Sequence, residues 1–238
     1  MYSQELHTYI SEENGRAYVN VDLSNTDGIR QARKAGLESS SLADGVFSPQ
    51  LQGIGNIVFH DGYKARLFTL LRHPVDLAVN EYFIFTRTAA EEVLRKMTLE
   101  EFISSKYYVG NHMTKFVGGC SSPESVNDTC LQWSKEFFRT KYIIGLQDDI
   151  YGAITLYEDY FFWDNTSPAV KVCKRHAIKS ELDRDYAIYK QAGQKIDKQS
   201  TLYQNIVEQN TLDMELYWYA VELQHYQRAW IPSLAANR

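Results

Sequence analysis

The segment LFTLLRHPVDLAVNEYFIF, residues 67–85, begins with a short apolar run that ends at an arginine, a histidine and a proline. A continuous apolar run of this length predicts a strand that is buried on both faces of a parallel sheet. Pro74 follows at the first turn of a predicted helix, where its missing N–H costs nothing. A strand that leads directly into a helix is the basic unit of an α/β fold, so this segment constrains the architecture strongly.

Strand and helix patterns continue along the rest of the chain. Residues 16–23 and the segment DGVFSP, residues 44–49, predict strands, and KYIIGL, residues 141–146, predicts a second buried strand. Beyond residue 97 the patterns are otherwise mostly helical, and two helices joined near Asn210 end the chain. We therefore predict an α/β fold in which a short parallel sheet is flanked by helices and a helical C-terminal part closes one edge.

Length and composition indicate a single domain. The chain has 238 residues, of which 44% are hydrophobic, enough for one sizeable core over residues 1–238. Residues 1–15 are polar and predict a flexible N-terminus, and residues 174–199 lack a pattern and predict a basic, mobile loop. The net charge of −5 argues against a general nucleic-acid binder. Read literally, without an apolar signal segment or membrane span, the chain is soluble or cytoplasmic.

The cysteines and the glycosylation sequences point to a different compartment. Cys120 and Cys130 lie ten residues apart in a polar loop, so they either form a disulfide or, with Cys173, remain free thiols. The triplets Asn-Asp-Thr at residues 127–129 and Asn-Thr-Ser at residues 165–167 are acceptor sequences for glycosylation, which favours a secretory lumen. No cysteine and histidine spacing indicates a zinc site, so we expect no metal.

Arg72 is the residue that most directly suggests a ligand. In open α/β sheets ligands bind beyond the carboxyl ends of the strands, which is where Arg72 lies in the sequence. Its guanidinium suits a phosphate or carboxylate, and the free N–H groups of the following helix point to the same space. Asn80, two turns along that helix, can donate a further hydrogen bond. The alternative is that Arg72 pairs with a carboxylate of the protein itself.

These residues also carry a family resemblance. LLRHPVDLAVNEYFIF resembles the 3′-phosphate-binding segment of sulfotransferases that use 3′-phosphoadenosine 5′-phosphosulfate (PAPS), where the pattern is Arg-Asp-Pro-Val, a helix and Ser-x-Tyr. Arg72, Pro74, Val75 and Tyr82 match this pattern. His73 replaces the aspartate and Asn80 replaces the serine, and an amide can still donate to a phosphate.

The order of the later segments resembles the carbohydrate sulfotransferases, nearest to the uronosyl 2-O-like branch, over roughly residues 16–230. KRHAIKS resembles the basic loop that folds over the donor, which implies donor contacts from four residues: Lys174, Arg175, His176 and Lys179. DMELYWYAVELQHYQ resembles the closing helix of that family. The resemblance implies a P-loop-NTPase-like sulfotransferase fold, PAPS as donor, a carbohydrate hydroxyl as acceptor, and a glycoprotein of the Golgi lumen anchored through a segment absent from this chain.

Two parts of the family pattern are missing. The loop that holds the 5′-phosphosulfate is not found, so the chain is either truncated or has lost half of its donor site. The family's base is a histidine on the strand before the arginine segment, whereas the comparable segment here offers Asp44, with His60 nearby. We interpret His112, which begins a short helix, as a structural residue. Whether the chain is an enzyme is therefore open, and the alternative is a non-catalytic remnant that binds a nucleotide, a glycan or a protein.

Overall fold

The structure is a computed structural model that describes seven stretches of the chain: residues 5–13, 15–43, 45–59, 65–120, 122–163, 166–191 and 196–236. Within these, only the backbone is described for residues 51–52, 123, 184–191 and 232–236. The chain divides into two compact units, Met1–Arg66 and Leu67–Arg238. The single domain that the sequence predicted stays a prediction.

The smaller unit combines a hairpin with two helices. Strand β1 (Thr8–Ile10) pairs antiparallel with strand β2 (Ala17–Val19), which lies inside the strand predicted over residues 16–23. β1 lies in the N-terminal segment for which the sequence predicted no regular structure. Helices α1 (Thr26–Lys34) and α2 (Leu51–Ile57) follow. The buried core of this unit consists of Ile29, Ala32, Leu37, Ile54 and Val58.

The segment DGVFSP was predicted to form a strand. This prediction is wrong for residues 45–49, the described part of the segment, because they are not in a strand. Side-chain hydrogen bonds hold them instead. The Ser48 hydroxyl donates to the Leu23 carbonyl at 2.6 Å, and the Gln50 N–H donates to the Ser48 Oγ at 2.9 Å. Such side-chain bonds to nearby backbone compete with a sheet ladder, which explains the irregular conformation.

The larger unit is built around one parallel pair of strands. β3 (Leu67–Leu71) and β4 (Tyr142–Leu146) run in register from Leu67 opposite Tyr142 to Leu71 opposite Leu146. Its helices in chain order are α3 (Pro74–Thr88), α4 (Glu92–Arg95), α5 (Leu99–Ile103), α6 (His112–Gly118), α7 (Asp128–Lys141), α8 (Ile150–Phe161), α9 (Pro168–Gln191), α10 (Thr201–Gln209) and α11 (Thr211–Ala236).

The two strands differ in burial. Every residue of β4 is buried, as the sequence predicted. β3 is only partly buried, and its Leu70 is 38% exposed, so the prediction of burial on both faces is wrong for this strand. The reason is its position, because β4 is the one strand that pairs with β3 within the described residues.

A glutamine side chain closes the other edge of β4. Gln227 on α11 accepts a hydrogen bond from the Ile144 N–H at 2.8 Å and donates one to the Tyr142 carbonyl at 2.7 Å. The side-chain amide therefore satisfies the same two backbone groups that a further strand would satisfy. This contact attaches α11 to the sheet and explains how a buried strand can have a helix beside its edge.

Helix α8 packs over the parallel pair. The Tyr157 hydroxyl donates to the Thr69 carbonyl at 2.6 Å, so this side chain crosses both strands. Gly145 lies beneath it, and a Cβ at this position would overlap the Tyr157 hydroxyl. Burial raises the pKa of Tyr157, so the hydroxyl stays protonated and remains a donor.

A second cluster joins α3, α5 and α10. Thr98 and Glu101 form a capping box at the start of α5, with the Thr98 N–H donating to Glu101 at 2.7 Å. Such a box satisfies two backbone donors of the first turn. The buried residues of this cluster are Val75, Ala78, Phe102, Ile103, Tyr108 and Ile206.

The prediction of a mobile loop over residues 174–199 is wrong for residues 174–191, because these residues belong to α9. Ile178 is buried, whereas the residues on either side of it are exposed, so the segment lacks the repeated apolar spacing that identifies a helix in a sequence. Lys179 and Asp183, one turn apart, form an ion pair at 2.6 Å that supports the helix.

The architecture agrees with the sequence prediction at the level of fold class. The protein is an α/β fold, mostly helical, with a short parallel sheet flanked by helices and a helical C-terminal part. Among the described residues, the helices are too short or too polar for any of them to span a bilayer.

Candidate functional site

An open cavity of about 740 Å³ lies at the carboxyl ends of β3 and β4. Leu71 and Leu146 face each other at the last position of the two strands, and the next residue of each strand, Arg72 or Gln147, lines the cavity. This is the edge at which open α/β sheets bind ligands. Further lining residues come from α3, from α6 and from the segment that follows α6: Leu77, Glu81, His112, Met113, Lys115 and Cys120.

The turn that carries Arg72 is held by the residue after it. His73 is the N-cap of α3, and its Nδ1 accepts a hydrogen bond from the Val75 N–H at 3.3 Å. The His73 ring also packs edge-on against Tyr217 of α11, with ring centroids 5.2 Å apart. Pro74 begins the helix, as the sequence predicted. These contacts fix the backbone at Arg72, which lines the cavity.

Two residues from different helices form a hydrogen-bonded pair in the cavity lining. His112 Nδ1 lies 2.8 Å from Oε1 of Glu81, which projects from the second turn of α3. The hydrogen bond to Glu81 raises the pKa of His112 above its ordinary value, although partial burial of the ring acts in the opposite direction. With Nδ1 directed to the carboxylate, Nε2 is the nitrogen that remains for a ligand.

The position of His112 depends on two reciprocal helix caps. The Asp213 carboxylate accepts hydrogen bonds from the Met113 and Thr114 N–H groups at 2.9 and 2.7 Å. In return, Oδ1 of Asn111 accepts from the Leu212 and Asp213 N–H groups at 3.0 and 3.1 Å. Asp213 of α11 therefore caps α6, and Asn111, directly before α6, caps α11, which fixes the helix that begins with His112.

Burial raises the pKa of Asp213 from its ordinary value, whereas the hydrogen bonds from α6 and the nearby His112 lower it. Asp213 is 1% exposed, so its carboxylate depends on these donors for the solvation that water would otherwise supply. A buried acid at this position therefore has a structural explanation in the two N–H groups that it satisfies.

A disulfide completes the cavity rim. Cys120, which follows α6 and lines the cavity, is bonded to Cys130 in the first turn of α7. The sequence left open whether these two cysteines pair, and the structure joins them. Gly119 ends α6 in the left-handed conformation, with φ of 66°, which directs the chain toward the disulfide. Cys173 is a free and exposed thiol.

Two of the predicted donor-binding residues, Arg72 and Asn80, lie where β3 ends and on the following helix α3. Arg72 lines the cavity, in agreement with its expected position at the end of a strand. Asn80 lies on α3 and is half-buried, and it does not belong to the cavity lining.

The four predicted residues of the basic segment lie on α9 instead of a loop. Lys174 is partly buried and its Nζ lies 2.9 Å from both carboxylate oxygens of the buried Glu158. Lys179 pairs with Asp183, and Arg175 and His176 are exposed. None of the four lines the cavity described above. Their role in donor binding stays a prediction.

The two predicted catalytic residues, Asp44 and His60, lie outside the described residues, so their assignment also stays a prediction. The cavity instead brings together three residues that sequence reasoning did not select for a site: Glu81, His112 and Lys115. Glu81 and His112 belong to separate helices, so no spacing pattern in the sequence indicates that they meet. The one feature of the sequence that could have indicated His112 and Lys115 as site residues is their position on a short predicted helix flanked by glycines.

No protein-family model, no curated protein and no solved structure matches this chain. In the part of the chain that the structure describes, no group of three or more histidine, cysteine, aspartate or glutamate side chains is placed to hold a metal ion.

Proposed function

We propose that this chain is a sulfotransferase-like protein that transfers a sulfuryl group from PAPS to a hydroxyl of a carbohydrate, and that its fold is a variant of the sulfotransferase fold. One observation carries the proposal: Arg72, Lys115 and the His112–Glu81 pair line a single cavity at the carboxyl ends of the parallel strands. This combines a site for an anion with a group that can accept a proton.

Arg72 is the proposed ligand of the 3′-phosphate of the donor. Its sequence context resembles the 3′-phosphate segment of PAPS-dependent enzymes, and its position at the junction of β3 and α3 suits an anion. Lys115 adds a second cation to the same lining. The chain has a net charge of −5, yet this cavity is lined by two basic side chains, Arg72 and Lys115, and one acidic side chain, Glu81, which favours an anionic ligand there.

His112 is the proposed acceptor of the proton, because its Nε2 remains available while Glu81 holds Nδ1. The acceptor hydroxyl oxygen attacks the sulfur, and a new oxygen–sulfur bond forms. The bond between sulfur and the bridging oxygen of the 5′-phosphate breaks, the hydroxyl proton passes to His112, and 3′-phosphoadenosine 5′-phosphate leaves. The earlier candidates for this role, Asp44 and His60, lie outside the described residues and are the alternatives to test.

A second candidate function is a binding module that holds a nucleotide, a glycan or a protein without transferring a group. One observation favours it: Lys174 of the expected donor-covering segment is engaged with the buried Glu158. Group transfer needs positioning and charge stabilisation of the leaving phosphate, which a lysine already paired with a buried carboxylate supplies less readily.

The first test is calorimetric titration of the chain with 3′-phosphoadenosine 5′-phosphate. Arg72→Ala is expected to weaken binding by roughly tenfold to a hundredfold, because a charge-assisted contact to phosphate is lost. Arg139→Ala is the matched control, since Arg139 is an exposed arginine paired with Glu136 on α7, and it is expected to bind like the parent. Absence of binding to the parent chain would contradict the proposal.

Transfer itself is tested by the incorporation of a labelled sulfuryl group from PAPS into a panel of glycans. His112→Asn is expected to lose transfer while still binding 3′-phosphoadenosine 5′-phosphate, and His225→Asn, which alters an exposed histidine on α11, is the control. Binding by the parent chain without transfer to any acceptor in the panel would favour the binding module.

A further inference from the structure

An exposed turn at the start of α7 carries the sequence Asn127-Asp128-Thr129, and all three residues are exposed. Asn-x-Thr is the acceptor sequence for asparagine-linked glycosylation when the middle residue is not proline. We propose that Asn127 is N-glycosylated. This modification is independent of the proposed transferase activity.

The geometry of Asn127 is compatible with a glycan. Asn127 is the N-cap of α7, and its Oδ1 accepts hydrogen bonds from the Thr129 and Cys130 N–H groups at 3.0 and 3.3 Å. The cap uses the oxygen alone. Among the residues that the structure describes, none accepts a hydrogen bond from Nδ2 of Asn127, so this nitrogen can carry a sugar without loss of the helix cap.

The reaction requires an oligosaccharide linked to a lipid diphosphate. Nδ2 forms a bond to the anomeric carbon of the first sugar, and the bond between that carbon and the diphosphate oxygen breaks. Nδ2 loses one proton and the lipid diphosphate leaves. The Thr129 hydroxyl, two residues after the acceptor, belongs to the recognised sequence, and the Thr129 side chain is exposed.

The neighbouring disulfide provides an independent argument for the compartment in which this reaction occurs. Cys130, directly after Thr129, is bonded to Cys120, and these residues are 0% and 7% exposed. Disulfides form and persist in oxidising compartments such as the secretory lumen and are rare where glutathione keeps thiols reduced. The disulfide and the acceptor sequence therefore point to the same lumen, where glycosylation takes place.

The acceptor residue Asn127 does not belong to the proposed ligand site. Cys120 lines the cavity, whereas Asn127 does not. The point of attachment therefore lies outside the cavity lining that contains Arg72, His112 and Lys115.

The test uses the protein isolated from its own cells. Digestion with peptide N-glycosidase in heavy-oxygen water converts a glycosylated asparagine into labelled aspartate, which mass spectrometry locates in the sequence. We expect the label at residue 127. Recovery of the peptide with unmodified Asn127 would overturn the proposal, including the case in which only Asn165, in the second acceptor sequence, is labelled.

Matched variants expressed in the same cells separate glycosylation from folding. In a background that carries Asn165→Gln, which removes the second acceptor sequence, Thr129→Ala is expected to abolish the glycosidase-sensitive shift in gel mobility, whereas Thr129→Ser retains it. Both leave Asn127 and the backbone N–H groups that it caps unchanged. Asn127→Asp also loses the shift and keeps an N-cap acceptor, so it should fold normally. A shift that persists in Thr129→Ala in the Asn165→Gln background would overturn the assignment to this site.

Discussion

Asn111 and Asp213 form two reciprocal helix caps: Asn111 caps α11, and Asp213 caps α6. Asn111 precedes α6 and its amide oxygen satisfies two N–H groups of α11, while Asp213 of α11 satisfies two N–H groups of α6. Asn210 adds a further contact by accepting from the Asn111 N–H at 3.0 Å. This exchange places α6, with His112 and Lys115, at the rim of the cavity.

Asp213→Ala is expected to lower the free energy of unfolding by roughly 2–4 kcal/mol, because two buried N–H groups of α6 lose their acceptor. Asp213→Asn retains one acceptor oxygen and should lose about half as much. Urea denaturation followed by circular dichroism measures both changes. Equal stability of Asp213→Ala and the parent would show that water replaces the carboxylate and that the cap contributes nothing.

The His112–Glu81 pair predicts a pH dependence of stability. Because the folded-state pKa of His112 is raised above 6.5, the folded protein binds the proton more tightly than the unfolded chain does. The pair therefore stabilises fully below pH 6.5 and loses this contribution as the pH rises through the folded-state pKa. The His112 side chain is 47% exposed, so solvent screening limits the effect to less than about 1 kcal/mol.

The measurement is the free energy of unfolding as a function of pH for the parent and for Glu81→Gln. The difference between the two should be largest in mild acid and should shrink toward alkaline pH. In parallel, the His112 ring titration followed by NMR should move to lower pH in Glu81→Gln. A difference that is constant over this range would contradict the assignment of the pair.

Gln227→Leu is expected to cost roughly 2–3 kcal/mol, because the Ile144 N–H and the Tyr142 carbonyl lose their partners at positions 0% and 3% exposed. Gln227→Glu keeps an acceptor for Ile144 but places an oxygen against the Tyr142 carbonyl, so it should also destabilise. The control is Gln204→Leu, which alters an exposed glutamine on α10 and should change stability by less than about 0.5 kcal/mol. If Gln227→Leu and Gln204→Leu behave alike, the edge contact does not stabilise the sheet.

Gly145→Ala is expected to destabilise by roughly 1–3 kcal/mol, since the new Cβ would overlap the Tyr157 hydroxyl and lie 2.7 Å from the Ala153 Cβ. Gly55→Ala is the opposite case, because a Cβ on that α2 residue meets no atom within 4 Å. It should be neutral or stabilising by up to about 1 kcal/mol, as expected for alanine in a helix. Thermal unfolding of both variants measures the contrast, and a neutral Gly145→Ala would show that Tyr157 can move.

Short-range signals in the sequence predicted the elements that position the site. The apolar run that forms β3, the proline that begins α3 and the Thr98–Glu101 capping box all lie within one strand or one helical turn. At this range the side chains act on their own backbone, so a single segment contains the information. The same reasoning failed for α9, where a helix without repeated apolar spacing is supported by ion pairs instead.

The sequence by itself determined the α/β class, the parallel strand with Arg72 at its end and most helix positions. The tertiary structure alone decided that His112 contacts Glu81. It also decided that Asp213 caps α6 at Thr114, 99 residues earlier in the chain, and that Gln227 bonds the edge of β4 at Ile144, 83 residues earlier. Those contacts join segments far apart in the chain, and no periodicity encodes which distant partner a polar side chain finds. They form because packing brings the helices together and every buried N–H, carbonyl and carboxylate there requires a partner.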